Sequence, residues 1–280
     1  MPRFFRIATA LLVGIVSISF AHADEKPAAA LPDAPAAKKS DNAVPEEAAP
    51  ATADKAVADG TVPALQAEVD LRPELIKYEL GPRRQGRRNT CSVFTTAACM
   101  EFALSKAEGR GQKLSVEYLN WACNQIIGNK TQDRGQFFRD LLKAYGRYGI
   151  CTEAEMPYRR RFDPELIPSD DASREAKALR ERDFQIHWIV RWKKSSGLTD
   201  EQMQEIHGVL ASGYPVAAGA SHSQLLVGYR DDAKEPGGGV FTTKDSGSGS
   251  FGSVSYEFVK NEVNDAFWVD LPVGESKPTK

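Results

Sequence analysis

The sequence predicts an α+β fold of two lobes, a helical one followed by one of antiparallel strands, with a cleft between them. Three observations carry this. From Phe94 to Tyr145 apolar residues recur at helical spacing. From Phe184 onward short β-branched and aromatic runs alternate with turns rich in Gly, Ser and Asp. Helices first and strands second is the order of an α+β plan, and a ligand cleft lies naturally where such lobes meet.

The elements follow in order. Phe94–Leu104 has helix-compatible spacing, with no Pro or Gly before Gly109. Ser115 reads as the N-cap of a second helix with Tyr118, Leu119, Ala122, Cys123 and Ile126 as its apolar stripe. Residues 129–135 (N-K-T-Q-D-R-G) form a turn-rich loop. Phe137, Phe138, Leu141, Leu142 and Tyr145 predict a third helix, stopped by Gly146 and Gly149. A surface helix is expected over 169–183 and a strand over 184–192. Thr199 and Gln202 make a capping box that opens a helix to about Leu210. Strands are then expected at 215–219, 224–229, 239–244, 253–260 and 267–271.

The flanks are of other kinds. Residues 1–23 join a basic start (Arg3, Arg6) to an apolar run from Ile7 to Phe20 and an Ala21-His22-Ala23 cleavage pattern. That is the form of a secretory signal peptide, too short for a comfortable membrane span, so export to a periplasm or the extracellular space is expected without a stable membrane anchor. Residues 24–62 are mostly Ala, Pro, Lys, Asp and Glu, with almost no large apolar residue, and read as a disordered linker, leaving a folded body over 63–272 and a tail over 273–280. Losing Arg3 and Arg6 takes the formal charge from −2 to −4, so nothing points to nucleic acid.

The chemistry gathers around residues 85–94, Q-G-R-R-N-T-C-S-V-F. Cys91 stands at a predicted helix start, where the dipole and open N–H groups favour thiolate. Gln85, six residues earlier, can fold back so that its amide and the Cys91 N–H form a pair of donors for an oxyanion. The base is sought among His187, His207 and His222. The first two sit in a Trp/Ile-rich strand and in a helix and read as structural. His222 stands at the entrance of an apolar strand, and Asp245 ends the next one. Neighbouring antiparallel strands bring such ends together, so Asp245 can hold the far nitrogen of His222. A solvated turn is the other reading of Asp245.

Four cysteines in an exported chain predict a disulfide. With Cys91 reserved as a nucleophile and Cys99 read as a buried helix thiol, Cys123 and Cys151 are the expected pair. No CxxC or HxxxH spacing occurs, so no metal site or cofactor is expected. Arg83, Arg84, Arg87 and Arg88 read as a solvated basic turn; the alternative is a positive field that lowers the thiol pKa or draws acidic peptides. Arg159–Arg161 reads as plain surface.

Taken together, these residues resemble the papain family of cysteine peptidases over roughly Asp70 to Leu271. Q-G-x-x-x-x-C-x-x-F is matched by Gln85, Gly86, Cys91 and Phe94, and H-x-x-x-x-V-G-Y by His222, Val227, Gly228 and Tyr229, with His222 lying 131 residues after Cys91. Leu114-Ser115 and the Gly149, Ile150, Glu153, Pro157, Tyr158 series add support, and Gly135 lies where the family has a glycine-rich loop that pairs with substrate backbone. The resemblance implies a monomeric peptidase acting on a peptide or protein through a Cys91–His222 thiolate–imidazolium pair, with Gln85 at the oxyanion.

Departures from the family pattern are specific. Asp245 stands where an Asn is usual, adding a charge that raises the His222 pKa. Gly247 replaces a shielding Trp, Ser92 an aromatic, and Arg88 a cysteine tied in a disulfide. Only six residues separate Pro215 from His222, where the family has a long loop. Two alternatives therefore stand beside the peptidase: a transglutaminase-like acyl transferase using Cys91, His222 and Asp245, and a non-catalytic binding module on the same scaffold.

Overall fold

The computed structural model describes residues 66–131, 133 and 135–271. The expected signal peptide (1–23), linker (24–62) and tail (273–280) lie outside the described residues.

The chain opens with two short elements that periodicity did not predict, β1 (Glu68–Asp70) and α1 (Arg72–Lys77). Then comes α2 (Cys91–Glu108), buried at every residue from Ser92 to Ser105. A helix apolar or small all round has no outer face and belongs in the middle of a fold. It packs on α3 (Val116–Ile127) and α4 (Phe138–Tyr148) on one side and on strands on the other. Ser115 caps α3 as expected, its Oγ accepting from Tyr118 N at 2.9 Å. Next are α5 (Asp170–Arg180), β2 (Gln185–Val190) and α6 (Asp200–Ala211), the last opened by the Thr199/Gln202 capping box.

The remaining elements are β3 (Val216–Gly219), β4 (Gln224–Asp231), β5 (Gly239–Asp245), β6 (Ser250–Ser255), α7 (Tyr256–Glu262) and β7 (Asp265–Asp270). The strands form one antiparallel sheet, ordered β2-β7-β3-β4-β5-β6, with β1 added to β4. The α+β plan is thus observed. One predicted strand is wrong in part. Residues 253–260 divide at Ser255, whose side chain accepts from Phe258 N at 3.1 Å and starts α7. Tyr256 and Val259, three apart, then turn into the core, so the cap and helical spacing prevail over β-rich composition.

Register sets the site. β4 and β5 pair with Leu225 opposite Lys244, which brings the start of β4 and the end of β5 to one edge. Because α2 packs across β3, β4 and β7, its first turn reaches that same edge.

Candidate active site

Cys91 is the first residue of α2, half-buried, and no side chain caps this helix end. Its N–H groups are left open toward the site. Burial pushes the Cys91 thiol up, but hydrogen bonding to the His222 ring, N–H groups of Ser223 and Ser92, and the His222 charge bring it below the ordinary value.

His222 lies in the link between β3 and β4. Its Nε2 is 2.6 Å from Asp245 Oδ1, which leaves Nδ1 for the sulfur. Hydrogen bonding to Cys91, and then to Asp245, raises the imidazole to about 9 against the opposing effect of burial. Asp245 is held far below the carboxylate range. Burial works against this, and hydrogen bonds from His222, from Gly247 N at 2.9 Å and from Ser248 N at 3.0 Å outweigh it. A lowered thiol beside a raised imidazole is the condition for a thiolate–imidazolium pair at neutral pH.

Gln85 is fixed from both ends of its amide. Nε2 donates to Arg88 O at 2.8 Å, and Oε1 accepts from Ser246 Oγ at 2.7 Å. Its backbone N donates to Ser246 O at 2.9 Å, and its carbonyl accepts from Tyr158 Oη at 2.9 Å. This pattern sets which end of the amide is the donor, and Nε2 keeps a second hydrogen. Ser246 was not singled out from sequence; its only signal is its place directly after Asp245.

Beside Cys91 a cavity of about 310 Å3 opens, bounded by Gly135, Phe138, Trp192, Gly219 and Asp265 among others. Cys91, His222, Asp245 and Gln85 are therefore brought together, and Gly135 joins them through this cavity. Asp265, at the start of β7, was missed. Nothing in a Val-Asn-Asp-Ala-Phe run distinguishes a buried acid from a turn acid.

Three sequence readings need correction or refinement. Arg88 is not a solvated turn residue. It is 5% exposed and bonds Glu117 through Nη1 at 2.5 Å, Asp133 through Nε at 2.6 Å and Arg159 O through Nη1 at 2.7 Å. Where the resembled family has a half-cystine, this chain ties the loop before Cys91 with a buried ion-pair cluster. Arg83 likewise turns inward, to Glu101 and to Glu153 at 3.0 Å, whereas Arg84 and Arg87 are exposed as expected.

The expected Cys123–Cys151 disulfide is absent, and all four cysteines are free. Cys151 O accepts from Ser115 N at the start of α3. Cys123 lies eight residues further along that helix, about 12 Å by its rise, beyond disulfide reach. Gly247 leaves the His222–Asp245 bond open: a Cβ there would stand 3.3 Å from His222 Nε2, and the imidazole side chain is 38% exposed. The other histidines are elsewhere. His207 bonds Met203 O at 2.8 Å among aromatic rings, and His187 pairs with Asp270 while stacked on Trp268.

No protein-family model matches the chain, and no curated protein matches its sequence. Solved structures do. The chain is similar to digestive procathepsin L 3 of Tenebrio molitor larval midgut, with TM-score 0.56 and 19% identity over 76% of this chain and 72% of that one. It is similar to xylellain, a cysteine protease from Xylella fastidiosa, with TM-score 0.56 and 20% identity over 74% and 87% of the two chains. A structure addressing the mite allergens Blo t 1 and Der p 1 gives TM-score 0.53 and 17% identity over 76% and 73%. At such identities the likeness is one of backbone course, helices and sheet together.

Proposed function

We propose that this chain, which has the papain-like fold, is an exported cysteine peptidase that cleaves peptide bonds with Cys91 as nucleophile. The observation that carries the proposal is the connected series Cys91–His222–Asp245, with the thiol lowered and the imidazole raised. Such a pair supplies a nucleophile and a proton donor together.

The thiolate of Cys91 attacks the scissile carbonyl carbon, and the carbonyl oxygen gains the charge. The Cys91 N–H and the spare hydrogen of Gln85 Nε2 receive that charge. His222 gives its Nδ1 proton to the leaving amine, the C–N bond breaks, and an acyl-Cys91 thioester remains. Neutral His222 then takes a proton from water, which attacks the thioester and frees the carboxylic acid and the thiolate. Asp245 keeps the ring oriented and stabilises its charged form throughout. Gly135, on the rim shared with Cys91, is placed to meet substrate backbone.

The test is alkylation of Cys91 by iodoacetamide across pH, beside cleavage of a fluorogenic peptide library. Wild-type Cys91 is expected to react well below pH 8 and His222→Ala to lose that advantage, with Cys91→Ala cleaving nothing. Equal reactivity in wild type and His222→Ala would instead support a binding module. Incorporation of an amine without hydrolysis would support acyl transfer.

A further inference from the structure

We propose that a second concavity, walled by Arg84, Arg87, Arg160 and Arg161 beside the loop that carries Gln85, docks an acidic stretch of the protein substrate, a run of Asp or Glu flanking the cleaved bond. The inference rests on the peptidase reading of Cys91 and adds a substrate class to it.

Two stretches far apart in sequence form the rim. The chain on either side of Gln85 supplies Arg84 and Arg87, and the stretch after Tyr158 supplies Arg160 and Arg161, around a space of about 590 Å3. Arg88 joins the two. Its Nη1 donates to Arg159 O at 2.7 Å, and Arg159 N donates at 3.0 Å to Glu117, the acid that Arg88 itself pairs with. Tyr158, half-buried in the wall, ties them again, its Oη donating to Gln85 O at 2.9 Å and meeting Thr90 Oγ1 at 2.8 Å. The stem of Arg84 lies along the turn after Asp245, where a Cβ on Gly249 would stand 3.1 Å from the Arg84 Cβ. The four guanidinium groups are thus carried on anchored backbone.

What sets these four apart is the want of an acid. In the same two runs Arg83 pairs with Glu101 and Glu153, Arg88 with Glu117 and Asp133, and Arg159 with Asp163. Arg84, Arg87, Arg160 and Arg161 are all exposed, and among the described residues none of them lies within ion-pair distance of a carboxylate. No Asp or Glu belongs to the wall. Four like charges about one concavity repel one another and focus a positive field in it, on a chain whose formal charge is −2. Carboxylates relieve that repulsion, and a guanidinium receives each through paired N–H···O bonds. Position selects a peptide over a lipid surface or a nucleic acid. The hollow is concave, and Gln85 stands in its wall, so a substrate whose scissile carbonyl oxygen reaches the Gln85 amide has its neighbouring residues beside these arginines. The hollow shares no lining residue with the cavity beside Cys91.

The experiment extends a fluorogenic peptide, before or after the cleaved bond, with a short run of Glu or of its uncharged isostere Gln. At about 20 mM salt the Glu extension on at least one side is expected to raise kcat/KM about tenfold over Gln, through KM, and about 0.5 M salt should abolish the gain. Arg84→Gln/Arg87→Gln and Arg160→Gln/Arg161→Gln should each lose most of it and keep the rate on the Gln peptide. Arg174→Gln/Lys177→Gln, which removes equal charge from the exposed face of α5, should keep the gain. A wild type without the gain, a gain that survives in both arginine pairs, or an equal loss in the α5 pair overturns the proposal. If no peptide is cleaved the peptidase reading fails, and binding of the same extended peptides to Cys91→Ala protein is then followed by fluorescence anisotropy. Tighter binding of the Glu peptide, lost when the arginine pairs are replaced in that background, upholds the acidic docking site. Equal binding of both peptides overturns it, and arginine-dependent capture of phosphatidylglycerol vesicles by a protein that ignores both peptides would assign the patch to a membrane instead.

Discussion

His222 Nε2 and Asp245 Oδ1 stand 2.6 Å apart, and the carboxylate that holds the ring is itself held by two consecutive backbone N–H groups. Oδ1 serves His222 and Gly247, and Oδ2 serves Ser248, so this position uses acceptors on both oxygens. An asparagine offers one.

Asp245→Asn is therefore more than the loss of a charge. If the amide oxygen stays on His222, its NH2 faces the Ser248 N–H, a donor against a donor. Loss of the negative charge brings the His222 pKa down from about 9. The imidazolium form required for activity then disappears at lower pH, so the alkaline limb of kcat/KM shifts downward. Stability falls by about 1–3 kcal/mol. A pH–rate profile and a urea melt check both, and an unmoved alkaline limb would refute the assigned role.

Much of this site was legible because its signals are local. Cys91 precedes a helical pattern, and His222 and Asp245 bracket neighbouring strand ends, so alternation and turn residues alone bring them to one edge. Arg88 and Ser246 were not legible, because what defines each is a partner far along the chain. Arg88 finds Glu117 and Asp133, and Ser246 meets Gln85 from 161 residues away. A run of arginines looks the same in sequence whether its members point outward, as Arg84 does, or inward, as Arg88 does. The α7 error has another cause: Ser255 is a cap only if the chain turns there, and β-rich neighbours concealed the turn.

The buried cluster gives a stability prediction. Removing Arg88 leaves Glu117 and Asp133, whose side chains are 3% and 5% exposed, without their cation. Arg88→Met should cost about 3–5 kcal/mol, while Arg84→Ala and Arg87→Ala should each stay within about 0.5 kcal/mol. Urea unfolding of the three variants decides it. A small effect at Arg88 would mean the two acids find protons or water instead.

Thiol chemistry tests the absence of the disulfide. Cys99, Cys123 and Cys151 are buried, and burial pushes each thiol up to about 12. Cys91 alone has a lowered pKa. Brief alkylation of native protein at pH 7 should add one adduct, on Cys91, and alkylation after denaturation without reductant should add four. A denatured count of two, with Cys123 and Cys151 unlabelled, would restore the disulfide.

Lys244 stands directly before Asp245 and is 7% exposed, its Nζ unpaired by any hydrogen bond and 3.8 Å from Glu101 Oε2. Burial lowers its pKa to about 8, with Arg83 adding to this and Glu101 opposing it. Below pH 8 the ammonium is charged in both folded and unfolded chains, and the fold bears its full desolvation. Between about 8 and the ordinary lysine value near 10.4 the unfolded chain binds the extra proton, so stability rises with pH across that window. Lys244→Met keeps the length of the side chain and removes the charge, and Glu101 still has Arg83 as a partner. The variant should be about 1–3 kcal/mol more stable than wild type at pH 7, with the gain shrinking from pH 8 to 10 in urea melts. A loss of stability at pH 7 would mean that the Glu101 attraction outweighs desolvation, and that Lys244 secures β5 to α2 beneath the His222–Asp245 pair.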